Sequence, residues 1–266
     1  DQLIHEVASG ARREITTDDS STRSLPPVPT NFSRKVEYVD GEKAIDQFMM
    51  MNGYKAQLFA SEKDFPELRN PVQMSFDAKG RLWVAVTPTY PHFRPGDSRP
   101  DDKILIFEDT DRDGRADTMK VFADHLHLPI GFELAPEGVY VSQEPNLCLL
   151  VDEDGDDRAD RMEILLHGFD SHDTHHAISA YSADASGAFY LLEGRFLHSQ
   201  VETPYGPLRC NDGGAWRFSP ASFRLERHVQ TDINNPWGIA FDHWEQCFIS
   251  DASSGDNWFA LPIAAK

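Results

Sequence analysis

Two stretches of the chain place carboxylates at the spacing a hard cation needs. Asp109-Thr-Asp111-Arg-Asp113-Gly-Arg115-Ala-Asp117 recurs 43 residues later as Asp152-Glu-Asp154-Gly-Asp156-Asp-Arg158-Ala-Asp160. Calcium takes about six to eight oxygen ligands, and carboxylates at alternate positions of a tight loop converge on one ion. Asp109, Asp111, Asp113 and Asp117 supply side chains at positions one, three, five and nine, with the Arg115 carbonyl at seven; Asp152, Asp154, Asp156, Asp160 and the Arg158 carbonyl repeat the scheme. The twelfth position is Lys120 in one loop and Glu163 in the other, and β-type residues follow, so these are not ordinary helix-flanked calcium loops. The competing reading is a pair of solvated acidic turns. A different chemistry is offered by Asp173-Thr-His175-His176: an imidazole titrating near neutrality can take a proton from a hydroxyl.

A repeat of about 43 residues has the length of one four-stranded propeller blade. A second repeated unit supports it: Pro71 to Asp77 with Leu82-Trp83 matches Pro236 to Asp242 with Cys247-Phe248, and looser copies lie at Pro129 to Val141 and His176 to Tyr190. The expectation is an all-β chain with inner strands near 72–76, 130–134, 176–181 and 236–241, the last blade stopping after a third strand near 257–261. Residues 1–52 read as an N-terminal arm, Ser/Thr/Pro-rich over 16–33, with a short helix at Asp40 to Met51; 53–266 read as the propeller. Lys55 to Ala60 is a candidate outer strand that could close the ring. Four blades are visible, either as a closed ring or as an incomplete larger one, and the ending at Pro262–Lys266 favours the second.

Within a blade, the loop entering strand one and the loop leaving strand two open on the same side. That rule gathers His92, Arg94, Gln143, Glu144, His175, His176, Glu193, Arg195, Asn235, Ser250 and Asp251 on one face, and sends both acidic loops to the other. His176 stands where the other repeats have Pro71, Pro129 and Pro236, so an ionisable group replaces a structural one near the axis. Arg195 and Arg94 are suited to anionic oxygens of a substrate or cofactor. The plain alternative is a hydrogen-bonded loop whose imidazoles satisfy backbone groups. The calcium loops, on the far side, read as braces.

Other classes are disfavoured. With 25 Lys+Arg against 44 Asp+Glu the formal charge is −19, which repels nucleic acid and anionic lipid. No apolar run reaches the roughly 20 residues of a membrane helix. Cys148, Cys210 and Cys247 form no recognisable disulfide framework or metal motif. There is no GxSxG elbow, Walker loop, HExxH helix or dinucleotide fingerprint.

Tyr90-Pro-His92, the paired acidic loops, Leu128-Pro-Ile-Gly131-Phe-Glu-Leu134, Asp173-Thr-His-His-Ala-Ile-Ser179, Gln200-Val-Glu-Thr-Pro-Tyr-Gly206 and Asn235-Pro-Trp-Gly238 resemble the membrane-bound dehydrogenase family related to quinone-dependent sugar dehydrogenases. The resemblance spans about 52–261. It implies a six-bladed propeller, incomplete here, in an extracytoplasmic (periplasmic or secreted) oxidoreductase acting on a sugar or related alcohol. It further implies pyrroloquinoline quinone as cofactor, a cytochrome c as electron acceptor, His175 or His176 as the base with Arg195 beside it, and Arg94, His92, Gln143, Glu193, Asn235 and Asp251 around the cofactor. The chain departs from that family's pattern at Ser182–Gly187 and at Trp244-Glu-Gln246, both turns between strands. Two alternatives stand beside it: a calcium-dependent propeller hydrolase or lactonase with an axial ion at Glu193, Asn235 and Asp251, and a non-catalytic carbohydrate-binding propeller.

Overall fold

The computed structural model describes residues 38–90, 98–231 and 233–260. The chain divides into two units, Asp1–Ala44 and Ile45–Lys266. The arm over 16–33 lies outside the described residues. The helix expected at Asp40 to Met51 is a single turn, α1 (Gly41–Ile45), with Asp40 Oδ1 accepting the Glu42 N–H. No described helix is long and apolar enough to cross a membrane.

The larger unit consists of four antiparallel sheets. The first holds β1 (Pro71–Phe76), β2 (Leu82–Val86), β3 (Asp102–Glu108) and β4 (Thr118–Leu126) in sequence order; the second holds β5 (Phe132–Ala135), β6 (Gly138–Gln143), β7 (Asn146–Val151) and β8 (Arg161–His167). The third pairs β9 (Ser179–Ala183), β10 (Phe189–Glu193), β13 (Gly214–Ser219) and β14 (Arg224–Gln230), with the hairpin β11 (His198–Val201) and β12 (Leu208–Asn211) inserted between its second and third strands. The fourth has three strands among the described residues: β15 (Pro236–Phe241), β16 (Cys247–Asp251) and β17 (Asn257–Phe259). The inner strands β1, β5, β9 and β15 lie side by side in that order. This is a propeller of four blades, as the repeat predicts.

The core sits between blades rather than within one sheet. Trp83, Ile104 and Phe122 of blade one pack on Phe132, Val141 and Cys148 of blade two. Tyr140, Leu147 and Leu166 then meet Phe189, Trp216 and Phe218, and Leu192 and Val229 meet Cys247 and Ile249. Alternating strands supply these faces because successive side chains point to opposite sides of a pleated strand. All three cysteines are free and buried there. Polar side chains stitch the inner strands: Gln73 exchanges two hydrogen bonds with the main chain of Phe132 (2.7 and 2.9 Å), Ser142 Oγ donates to the Ile178 carbonyl, and Ser179 Oγ donates to that of Pro236.

Two expectations are corrected. Lys55 to Ala60 joins no sheet; it runs beside the first acidic loop, whose Ala116 N–H donates to the Phe59 carbonyl at 2.8 Å. Blade three is longer than the repeat because of the β11–β12 hairpin, whose short runs read as ordinary blade strands in the sequence.

Candidate active site

The loops entering inner strands and leaving second strands meet on one face. Asp173 organises the segment before β9. Its Oδ1 accepts the His175 N–H at 3.1 Å and lies 3.3 Å from His175 Nδ1, while its Oδ2 lies 3.0 Å from His176 Nδ1. That last contact is an ion-pair distance without hydrogen-bond alignment. His176 is buried, and its Nε2 sits 3.1 Å from Asn235 Oδ1, ahead of β15. Asn235 in turn donates from Nδ2 to Ser253 Oγ. Both ring nitrogens of His176 thus face protein groups.

His175 differs. Its side chain is 54% exposed, its Nε2 has no partner among the described residues, and its ring lies 5.1 Å from that of Tyr90. Burial, and then the Asp173 charge, raise the Tyr90 phenol above its ordinary value.

Arg195 follows β10 and donates from Nη1 to Asn234 Oδ1 at 3.2 Å. Its guanidinium lies 5.6 Å from the Phe196 ring centre, and Phe196 is exposed and in the left-handed backbone region at φ 72°. Gly194 fixes the approach of this loop. Its N–H donates to the His176 carbonyl at 2.8 Å, and a Cβ there would fall 2.8 Å from both the Asn234 carbonyl oxygen and His176 Cβ. Only glycine lets the two loops touch.

Asp251, at the end of β16, is buried, and its oxygens accept from the Asn234, Asn235 and Ser253 amides at 3.0, 3.1 and 2.8 Å. Burial alone would raise its carboxyl, but these amides outweigh that and hold it below the ordinary carboxylate range. It clamps the segment carrying Asn235. Gln143 is also a strut, accepting the His127 N–H at 2.8 Å. Glu193 is wholly buried and accepts from Ser199 Oγ at 2.6 Å. His92 and Arg94 lie outside the described residues. His175, His176, Arg195 and Asn235 therefore share one cluster, with Asp251 behind it. Asp173 and Asn234 are additions; the pairing of acid and imidazole within Asp173-Thr-His-His was the available signal for the first.

On the opposite face, the acidic loops join β3 to β4 and β7 to β8, as expected. Asp109, Asp111 and Asp117 bring carboxylate oxygens within 4.8 Å of one another, and so do Asp152, Asp154 and Asp156. Such hard oxygen donors suit calcium. Asp113 and Asp160 stand outside these groups, and all the loop carboxylates also accept loop amides: Asp113 Oδ1 takes the Arg115 N–H and Asp160 Oδ2 the Glu153 N–H, just as Asp109 takes those of Arg112 and Gly114 and Asp152 those of Gly155 and Asp157. The two loops share a backbone with left-handed residues at corresponding positions, Arg112 with Gly155 and Gly114 with Asp157. Lys120 and Glu163, the twelfth residues, turn away to pair with Asp157 and Arg161.

Among solved structures, the chain is similar to a gluconolactonase from Xanthomonas campestris important in glucose secondary metabolic pathways (18% identity, TM-score 0.46, 69% of this chain and 55% of that one). It is also similar to a protein provisionally assigned as a gluconolactonase (13%, 0.44, 71% and 57%) and to a luciferin-regenerating enzyme (13%, 0.46, 75% and 62%). The chain thus spans less than two thirds of the length of each. No curated protein matches it. These neighbours are not quinone dehydrogenases, and the family matched is another one, so the expected membrane-bound dehydrogenase resemblance, with its quinone-dependent oxidoreductase activity, is corrected. Residues 40–264 match the family described as Domain of unknown function (DUF7133), and the chain belongs to it.

Proposed function

We propose that this chain is a propeller hydrolase that opens a lactone or comparable ester of a carbohydrate acid, with His175 as general base. The observation that carries the reading is the Asp173–His175 pair, in which the carboxylate lies 3.3 Å from Nδ1, at ion-pair distance, and the imidazole side chain is 54% exposed. An acid on Nδ1 selects the tautomer whose Nε2 can accept a proton and stabilises the imidazolium that forms.

Water is the nucleophile in this scheme. His175 Nε2 takes its proton as the oxygen bonds to the carbonyl carbon, and the negative charge passing to the carbonyl oxygen is met by Arg195. The C–O bond of the ring then breaks, and the imidazolium returns its proton to the departing alkoxide. His176 and Asn235 are positioning residues that fix Asp173 and the β15 segment. Exposed Phe196 beside the Arg195 guanidinium offers the mixed apolar and hydrogen-bonding surface a sugar ring requires. Calcium, when bound to the acidic loops, supplies bracing charge neutralisation away from this step, and an extracytoplasmic location rich in calcium belongs to the same proposal.

The test is pH-stat hydrolysis of aldonic-acid lactones. Wild type should exceed the spontaneous rate, and His175→Ala should lower kcat by about 100-fold or more, the usual worth of a general base. His176→Ala should alter the rate less. Wild type with no turnover above background, or His175→Ala with full kcat, would discard the proposal.

A further inference from the structure

Beneath the histidine segment, between blades two and three, lies a set of acids that the reaction above does not use. Glu144 follows β6 and is 6% exposed; the Ile178 amide acts on its carboxylate, but neither oxygen has a well-aligned hydrogen bond. Glu193 ends β10 and is 0% exposed; its Oε2 accepts from Ser199, and with the Trp216 indole and Cys210 thiol beside the carboxylate, Oε1 still has no well-aligned hydrogen bond. Asp170 stands close enough to add its charge to both, but its own oxygens are filled by the His172 and His198 amides at 2.9 and 2.7 Å. No Lys or Arg among the described residues forms an ion pair with any of the three.

Three buried carboxylate oxygens without a well-aligned donor, with the charge of Asp170 acting on both groups, are costly. Removing a carboxylate from water is strongly unfavourable unless a partner or ion replaces the lost hydration. Buried polar atoms left without partners mark places where an ion or ordered water belongs. Burial and then the Glu193 charge push the Glu144 carboxyl well above the ordinary range, and burial raises that of Glu193. Both shifts express the same uncompensated charge.

We propose that Glu144 and Glu193 are ligands of a buried divalent cation of the calcium type, seated under the segment that carries His176. The donors are hard oxygens only, which suits calcium rather than a soft metal. Two carboxylates leave positions for main-chain oxygens and water, the usual complement of such a site. The link to the surface is short: Gly194, next to Glu193, is hydrogen-bonded to the His176 carbonyl. This site is separate from the acidic loops and independent of the lactonase reading.

Calcium binding by equilibrium dialysis at neutral pH tests it, using the full chain and a variant with both loops neutralised, Asp109→Asn, Asp111→Asn, Asp152→Asn and Asp154→Asn. The loop-neutralised protein should still bind one equivalent, and adding Glu144→Gln or Glu193→Gln should weaken that equivalent at least tenfold. In the unmodified chain each glutamine variant should bind one equivalent fewer. A folded loop-neutralised protein that binds no calcium, or unchanged binding in folded Glu144→Gln, overturns the proposal and leaves the acids holding a proton. If a glutamine variant fails to fold, calcium titration of the loop-neutralised protein alone decides.

Discussion

At the scale of single residues, two carboxylates near the histidines behave differently because their donors differ. Asp173 accepts one backbone amide and lies at ion-pair distance from two imidazoles, whereas Asp251 accepts from three backbone amides. A carboxyl held below its ordinary value stabilises the fold fully above the unfolded-state value near 4, and that contribution disappears as pH falls through the lower folded value. Asp251→Asn should therefore remove about 1–3 kcal/mol of stability at pH 6, read as a lower Tm, for charge-assisted bonds of this kind. The gap between wild type and variant should narrow as the pH drops below 4. Thermal melts from pH 6 to 2.5 measure it, and a gap constant across that range would contradict the assignment. The same melts report on the face as a whole, since Asp251 fixes the Asn234 and Asn235 amides.

At the scale of elements, the turns from inner to second strand in blades one, three and four share one device. Asp77, Asp184 and Asp242 each accept from the amides two and four residues ahead, at 2.9 and 2.9, 2.8 and 3.2, and 2.9 and 2.9 Å. The residue three ahead is left-handed in all three: Gly80 and Gly187 at φ 81°, and Glu245 at φ 61°. Glycine adopts that region freely, while a residue with a Cβ pays about 1 kcal/mol or more. Glu245→Gly should thus stabilise the protein by about 1 kcal/mol, read as a Tm higher by about 2–4 °C in a domain of this size; an unchanged or lower Tm would show that the turn is not strained. This is one of the two places where the sequence departed from the pattern of its resemblance, and the other, Ser182–Gly187, keeps the turn through Asp184. The blades were legible because the acidic loop recurs after 43 residues and the strand unit of Pro71–Asp77 recurs at Pro236–Asp242. The β11–β12 hairpin was not, since Gln200 and Val201 look like any blade strand until pairing reveals their partner. Asn234 was hidden for the same reason: its value lies in where the β15 loop lands beside Arg195, which no local pattern encodes.

At the scale of the whole molecule, the acidic loops do more than decorate the rim, because each docks on what precedes its blade. The second loop reaches blade one: its Ala159 N–H donates to the Phe122 carbonyl at 2.8 Å, Lys120 Nζ donates to the Asp156 carbonyl at 3.2 Å, and Arg81 pairs with Asp157 at 2.8 Å while also holding Asp77. The first loop makes the equivalent bond from Ala116 to Phe59 and receives Gln57 Nε2 at its Asp113 carbonyl. The segment at Phe59 therefore occupies, for blade one, the place that β4 occupies for blade two. Converging carboxylates repel when no cation offsets them, so an ion bound in each loop would stiffen the loop and, through it, the seam between neighbours. Saturating a site at about 100 times its Kd adds about 2.7 kcal/mol. Chelation should lower the Tm by several degrees and speed hydrogen exchange at the Ala116 and Ala159 amides more than at β2 or β6, because local opening at the seam precedes loss of the buried strands. Asp154→Asn should reproduce the effect at Ala159 and spare Ala116. Equal protection at both amides with calcium and with chelator would reduce the loops to solvated turns.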